Sequence, residues 1–388
     1  MEIANMPTLR FPEFSNVWEE VHLGNICSTF KSGVGITSER ITESGEFPVY
    51  GGNGLRGYTN TFTHDGFYLL IGRQGALCGN INRATGKTYI SEHAIAVRGD
   101  ERTSTKWLAQ KLDYMRLNRL SESSAQPGLS VAKLVKLKLF VPTYSEQQKI
   151  AAFLLVVDRK IQLLTRKKEL LDQYIKGVIQ KIFSQEIRFK DENGNEYPDW
   201  EEKRLRDCCN LIKDGTHGTH ADIPGSGYYL LSAKNIIDGK IQINSDDREI
   251  SKTEFEAIFK NYRLQQGDLL LSIVGTIGRT SIYQGEINIA FQRSVAFFRF
   301  QEDNPEYMYY YFNSYEFQNE LMKRQVVSAQ PGIYLRELSN IYLIIPSQKE
   351  QDDIAVYLRT IDNKIEIINN QIIALEQFKK GLLQQMFI

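Results

Sequence analysis

Two stretches of this chain repeat one another without a gap. Ser124 to Phe183 matches Ser328 to Phe387 at 22 of 60 positions, at a constant offset of 204. Agreement of that size reflects duplication, so a fold that suits one copy must suit the other. The shared phrases include Ala125-Gln126-Pro127-Gly128 against Ala329-Gln330-Pro331-Gly332, Pro142 against Pro346, and Glu146-Gln147-x-x-Ile150-Ala151-x-x-Leu154 against Glu350-Gln351-x-x-Ile354-Ala355-x-x-Leu358. Each copy also has a beginning: Leu9-Arg10-Phe11 then Trp18-Glu19-Glu20 is echoed by Ile187-Arg188-Phe189 then Trp200-Glu201-Glu202. The offset grows from 178 at the arginines to 182 at the tryptophans and 204 at the Ala-Gln-Pro-Gly. The ends of each unit are therefore shared, while the middles differ in length and wording. A period near 190 is too long for a solenoid repeat, which leaves two tandem domains carrying different payloads in a common frame.

At 388 residues, with 42% hydrophobic and 24% charged side chains, the chain can bury two cores of ordinary size. No apolar run is long enough to cross a bilayer, and Met1 to Pro7 lacks the shape of a signal peptide, so a cytoplasmic protein with no membrane partner is expected. Cys27, Cys78, Cys208 and Cys209 have neither the density nor the spacing of a disulfide framework. The formal net charge of zero excludes a protein that coats nucleic acid by bulk charge, though not one that binds DNA through a local surface. Residues 17–143 carry 15 Lys/Arg and 11 Asp/Glu, net +4, whereas residues 199–346 carry 16 and 20, net −4.

Pro142 and Pro346 close the apolar runs Leu137 to Val141 and Ile341 to Ile345, and a helical pattern starts directly after each. Thr143-x-x-Glu146 and Ser347-x-x-Glu350 fit capping boxes. In the first helix Ile150, Leu154, Val157, Ile161, Leu164, Leu171, Ile175, Val178 and Ile182 follow a 4-3 spacing interrupted by Lys168. In the second, Ile354, Leu358, Ile361, Ile365, Ile368, Ile372, Leu375, Leu382 and Met386 do the same around Lys379. Seams of this length need a partner helix, and mutual packing is the expected solution, with the two lysines snorkelling or setting register. The fold class expected is α+β: two tandem α/β domains separated and joined by two long helices that pack as an antiparallel coiled coil, with pseudo-two-fold symmetry.

Within the globular segments, Phe67 to Gly72, Thr88 to Ile90, His93 to Arg98, Tyr228 to Ala233, Asp268 to Val274 and Ser294 to Phe300 read as strands. Thr105 to Leu117 and most of Asn304 to Met322 read as helical. Glycine-rich turns separate them, and their polar residues suit base edges and phosphates if the ligand is DNA. The candidate readers are Lys31, Ser32, Asn53, Arg56, Arg73 and Gln74 in the first segment. In the second they are Lys213, Thr216, His217, Thr219, Lys234, Asn235, Thr276, Arg279, Gln292 and Arg293. The Ala-Gln-Pro-Gly common to both copies is expected to serve the frame.

Several catalytic patterns fail on inspection. Gly86-Lys87-Thr88 lacks the earlier glycine of a phosphate-binding loop, since Ile81 stands there. Asn304-Pro305-Glu306-Tyr307 lacks the second proline of the adenine methyltransferase motif, and no glycine-rich cofactor motif accompanies it. Asp199-x-Glu201-x-Lys203 places its acids too close for two strands of a nuclease to present them. His217-x-x-His220 with the adjacent Cys208-Cys209 is a poor chelating set, and His93 has no recurring nucleophile partner. No catalytic residue and no metal site are expected.

Taken together, these residues resemble the specificity subunits of type I restriction-modification systems, over essentially the whole length. The most specific marks are Pro142 with Glu146-Gln147-x-x-Ile150, Pro346 with Glu350-Gln351-x-x-Ile354, and the continuing Asp158-x-Lys160-Ile161 and Asp362-x-Lys364-Ile365. Asp214-Gly215-Thr216-His217, Gly267 to Gly275 and Gln292-Arg293-Ser294-Val295-Ala296 resemble phrases of such subunits too. The resemblance implies a first target recognition domain (1–143), a central conserved helix (144–184), a connector with a second recognition domain (185–346) and a C-terminal conserved helix (347–388). Each recognition domain would read one half of an interrupted sequence in double-stranded DNA, with the helices as a ruler. Two modification subunits would dock on the helical region, and restriction subunits would add translocation and cleavage. S-adenosylmethionine, ATP and Mg²⁺ are then expected on those partners and none in this chain. Partner docking and the helix seam are assigned to Glu146, Gln147, Ile150, Leu154 and Ile161 and to Glu350, Gln351, Ile354, Leu358 and Ile365. The competing expectation is a non-catalytic adaptor whose rod and two heads bind proteins.

Overall fold

The structure is a computed structural model that describes residues 6–75, 77–121, 128–326 and 331–388. The chain forms two compact units, residues 1–166 with 369–388, and residues 167–368. The division runs through both long helices, Tyr144–Phe183 and Gln348–Met386, because each unit takes one part of each.

The first unit is built on a four-stranded antiparallel sheet in the order Cys27–Ser32, Ala94–Gly99, Tyr68–Gly72, Ile81–Ala84. Period-two alternation explains its apolar words. Leu69 and Ile71 face a large core with Trp18, Trp107, Leu108 and Leu112, while Tyr68 and Leu70 face a smaller one with Ile90 and Ala96. A sheet covered on both sides reads as a continuous hydrophobic run, and each fully buried Leu or Ile contributes about 2 kcal/mol. A second sheet orders Gly54–Thr59, Phe47–Gly51 and Tyr89–Ile90, the last pair parallel. Glu19–His22 pairs with Lys138–Val141 and brings the entry of the domain beside its exit. Helix Thr105–Tyr114 starts at Ser104, whose hydroxyl accepts from Trp107 N.

The second unit repeats this plan. Its four-stranded sheet runs Cys209–Asp214, Val295–Phe300, Leu269–Ser272, Thr280–Ile282, and its clasp is Glu201–Arg204 with Tyr342–Ile345. Leu269, Leu271 and Phe298 face one core, and Leu270 and Phe297 the other. Even the irregularity is shared: the first strand slips register between Cys27 and Thr29 in one unit and between Cys209 and Leu211 in the other. The helical stretch expected from Asn304 divides into Pro305–Phe312 and Tyr315–Lys323, because Ser314 caps a new helix by accepting from Phe317 N. Asn304 itself is a helix cap followed by proline, which accounts for Asn-Pro-Glu-Tyr without methyl transfer.

The long helices pack as the seam requires. In the first unit Ile150, Leu154 and Val157 share a core with Leu382, Met386 and Phe387; in the second Ile175, Ile182 and Phe183 share one with Ile354, Leu358 and Ile361. In each unit the start of one long helix lies beside the end of the other, the antiparallel arrangement. Lys379 meets Asp158 at 2.7 Å, and Lys168 meets Asp172 one turn along its own helix at 3.0 Å. The capping boxes need correction. Glu146 and Glu350 turn to Arg10 and Arg188, and Ser347 Oγ is buried without a hydrogen-bond partner among the described residues. A bidentate arginine is a stronger partner for a buried carboxylate than one backbone N–H.

Candidate nucleic-acid interface

The two units present their loops on the same backbone scaffold. Gly33 N donates to Ala94 O at 2.9 Å and Gly215 N to Val295 O at 3.0 Å. A Cβ on Gly33 would lie 2.3 Å from the carbonyl oxygens of Ile90 and Ser91, and one on Gly215 would lie 2.0 and 2.4 Å from those of Phe291 and Gln292. Only glycine fits either place. Val34 N bonds Ile90 O at 2.9 Å, as Thr216 N bonds Phe291 O at 2.8 Å. Arg73 N bonds His93 O at 3.0 Å, as Ile273 N bonds Ser294 O at 2.8 Å. Leu129 N bonds Arg73 O and Ile333 N bonds Ile273 O, both at 2.9 Å. Gly128 and Gly332, which end the shared Ala-Gln-Pro-Gly, bridge to Gln74 and Val274 respectively. Residues 125–127 and 329–330 of those phrases lie outside the described residues.

On equivalent backbone positions the side chains differ in kind. Ser32 stands where the second unit has Asp214, Gly35 where it has His217, Glu92 where it has Arg293, and Ser130 where it has Tyr334.

In the first unit Lys31 and Ser32 end a strand, Asn53 and Arg56 lie on the hairpin at Gly51–Gly54, and Arg73 and Gln74 follow strand Tyr68–Gly72. The hairpin and the last loop are neighbours, since Gly52 lies against Gly72 and Asn82 Nδ2 donates to Gly52 O at 3.1 Å. Lys31, Asn53, Arg56 and Gln74 are exposed, and Ser32 and Arg73 half-buried.

In the second unit His217 and Arg293 line one recess of about 340 Å³ together with Asp214, Val274, Gly332 and Tyr334. His217 Nε2 donates to Asp214 Oδ2 at 2.7 Å. Thr216 and Gln292 are bridged along the backbone, Thr216 Oγ1 also contacting His220 Nε2 at 3.0 Å. Thr219, Thr276 and Arg279 are exposed, with Arg279 Nη1 donating to Ile236 O at 3.4 Å.

Asn235 is corrected by its surroundings, and Lys234 and Lys213 have partners within the unit. Asn235 is 0% exposed: its Oδ1 accepts from Ser232 N at 3.0 Å, and its Nδ2 donates to Gln242 O and Asp247 Oδ2, so it builds the loop and cannot reach DNA. Lys234, its side chain 55% exposed, pairs with Asp247 at 2.8 Å. Lys213 Nζ donates to Asn261 O at 2.7 Å over the Tyr262 ring, tying two elements together.

The docking assignment is corrected in the same way. Glu146, Gln147, Ile150, Leu154, Glu350, Gln351, Ile354 and Leu358 are buried within their own units, and Ile161 and Ile365 pack half-buried on the same cores. The isoleucines and leucines belong to the seam, the glutamates and glutamines fix the helix starts, and all of them offer a partner little surface. Gln147 accepts from Ser104 N at 2.8 Å and donates to Pro142 O at 2.9 Å; Gln351 accepts from Asn304 N at 2.9 Å and donates to Pro346 O at 3.1 Å. Each glutamine thereby locks the start of a long helix onto a short one.

Among the described residues no group of three His, Cys, Asp or Glu could hold a metal ion. His220 also contacts Glu254, and burial pushes the Cys208 thiol up to about 12 and Cys209 higher still. A larger hollow of about 680 Å³ in the first unit, with Arg98, Lys106, Tyr144 and Gln148 on its walls, contains none of the candidate readers. Asp214 and Tyr334, which line the recess, are not among the candidates read from the sequence. The signal for Tyr334 was its place two residues after the shared Ala-Gln-Pro-Gly, where the first copy has Ser130.

The sequence profile of the type I restriction modification DNA specificity domain matches residues 16–173 and, a second time, residues 197–377. The chain belongs to this family. It is 51% identical over 116 residues to the EcoprrI specificity subunit of an Escherichia coli type I restriction enzyme, a match spanning 30% of this chain and 29% of that one. A putative type I restriction enzyme specificity subunit of Haemophilus influenzae is 27% identical over 369 residues, 87% of this chain and 86% of the relative. The MjaVIII specificity subunit of Methanocaldococcus jannaschii is 26% identical over 327 residues, 81% and 74% of the two chains. In fold, the S subunit of a type I restriction-modification system from M. genitalium superposes with a TM-score of 0.67, covering 99% of each chain at 16% identity. Among the described residues no helix is long and apolar enough to cross a membrane.

Proposed function

We propose that this specificity-domain protein selects the DNA sequence on which a type I restriction-modification complex acts. Each unit reads one half of a bipartite, interrupted sequence in double-stranded DNA, and the chain directs its partners to methylate adenine or to cleave. The observation that carries the reading is the constant backbone frame beneath changed side chains. Two half-sites require the same approach to the duplex and different contacts to base edges. Arg10–Glu146, Arg188–Glu350 and the two glutamine locks supply the sameness, and the pairs Ser32/Asp214 and Glu92/Arg293 supply the difference.

The chain itself is non-catalytic on this reading. Two modification subunits bring S-adenosylmethionine and the methylating site, and restriction subunits bring ATP-driven translocation and Mg²⁺-dependent cleavage, all in the cytoplasm. Outward residues suit their docking better than the buried seam. Val156 and Leu163, in the first unit's part of the helix Tyr144–Phe183, are exposed seven residues apart, a spacing that can seat another helix. The test is methylation of plasmid DNA by the purified modification subunits with and without this chain. Methylation confined to one interrupted motif only when the chain is present supports the reading. The same pattern without the chain overturns it in favour of an adaptor.

A further inference from the structure

We propose that the recess of Asp214, His217, Arg293 and Tyr334 reads a G·C base pair in the half-site of the second unit, with Arg293 addressing guanine and Asp214 cytosine. This rests on the chain being a DNA specificity subunit. In the major groove guanine presents two neighbouring acceptors, N7 and O6, and its cytosine partner one donor, the N4 amino group; an A·T pair instead sets its donor between two acceptors. A two-pronged cation beside a carboxylate matches the first pattern and not the second.

The recess offers that pair of groups. Arg293 is exposed, and its guanidinium has no hydrogen-bond or ion-pair partner among the described residues. Asp214 sits at the end of a sheet strand, directly before the close-packed Gly215, so its backbone is fixed. Its Oδ2 accepts from His217 Nε2 at 2.7 Å, which orients the carboxylate and leaves Oδ1 for a base amino group. Arg293 is anchored by its own backbone N–H, which donates to Thr216 O at 3.0 Å. Tyr334, 68% exposed at the rim, gives a flat face for the edge of the base or its sugar. The same four backbone positions in the first unit carry Ser32, Gly35, Glu92 and Ser130, which supply no such donor and acceptor together. The frame is held constant and this group of side chains is changed, as expected of the positions that distinguish two half-sites.

The experiment is competition binding and methylation with the reconstituted complex of the full chain and its modification subunits. The probes are duplexes carrying each of the four base pairs at every position of the motif. Arg293→Ala is expected to relax selection at a single G·C position, losing discrimination on the order of 10- to 100-fold there, with the other half-site unchanged. Asp214→Asn is expected to relax the same position. Arg293 is a surface side chain, and co-purification of the variant with the modification subunits verifies assembly. Equal weakening for all four base pairs would mark a phosphate contact and overturn the proposal, as would an unchanged motif or relaxation at an A·T pair. A wild-type complex with no defined motif would instead bring down the specificity reading itself.

Discussion

Arg188 grips Glu350 through two parallel bonds, Nε to Oε1 at 2.9 Å and Nη2 to Oε2 at 3.0 Å, and Trp200 Nε1 adds a third to Oε2 at 3.0 Å. Arg10 holds Glu146 with the same atoms at 2.7 Å each. Both carboxylates are 0% exposed. Removing the arginine strands a buried carboxylate, so Arg188→Ala is expected to destabilise the chain by about 3 kcal/mol. The double variant Arg188→Met, Glu350→Leu should lose clearly less than the two single changes added together. Urea midpoints of the singles and the double decide this, and simple additivity would show the pair to be uncoupled.

Gly215→Ala would drive a Cβ into two carbonyl oxygens of the neighbouring loop. A loss of about 2 kcal/mol is expected, together with weakened discrimination, because the shift displaces both Asp214 and Gln292. Gly35→Ala meets nothing within 4 Å and should change stability by less than about 0.5 kcal/mol. Thermal denaturation of the two variants side by side is the check; equal effects would refute the close-approach argument.

Asp158 and Asp362 are the same residue of the repeat in different company. Asp158 receives Lys379 at 2.7 Å and Gln110 Nε2 at 2.8 Å, whereas Asp362 receives only the Tyr310 hydroxyl, at 2.6 Å, among the described residues. Burial, with Asp172 and Glu366 nearby, raises the Asp362 carboxyl above the ordinary aspartate range despite that hydrogen bond. The native state therefore keeps this proton to a higher pH than the unfolded chain, and stability falls as pH rises through that interval. Asp362→Asn should gain on the wild type over the pH range above the ordinary aspartate value of about 4. A difference in urea midpoint that stays flat over that range would contradict the assignment.

Lys111 is 2% exposed, its ammonium donates to Ile388 O, and burial lowers its pKa to about 8. The unfolded chain takes up that proton near pH 10.5 and the native state only near pH 8, so native stability declines as pH falls between those values and then levels off. Lys111→Met is expected to be more stable than wild type at pH 7, by on the order of 1–3 kcal/mol, with the advantage shrinking above pH 8. Denaturant midpoints at pH 7, 9 and 10 test this, and an advantage that grows with pH would refute it.

What could be read from the sequence was whatever rested on local pattern or on repetition. Leu69 to Ile71 and Leu269 to Leu271 announce strands because both faces of their sheets are covered, and the 4-3 spacing announces the long helices. Cys27–Ser32 and Cys209–Asp214 escaped because their half-exposed strands mix polar and apolar residues and are fixed by long-range pairing with Ala94–Gly99 and Val295–Phe300. Helix Lys252–Asn261 was missed although Ser251 and Glu254 form a true capping box, the motif wrongly given to the long helices. Arg10 and Arg188 were visible as repeated words, but their roles depend on carboxylates 136 and 162 residues away. Asn235 shows the converse failure: a polar residue in a polar loop, turned inward by Asp247.

The most direct test of the central claim is base-resolution mapping of N6-methyladenine in the host genome with this gene intact and deleted. Loss of a single bipartite, interrupted motif on deletion is the predicted result. An unchanged map, from a host whose modification subunits are shown to be expressed and active, would contradict it.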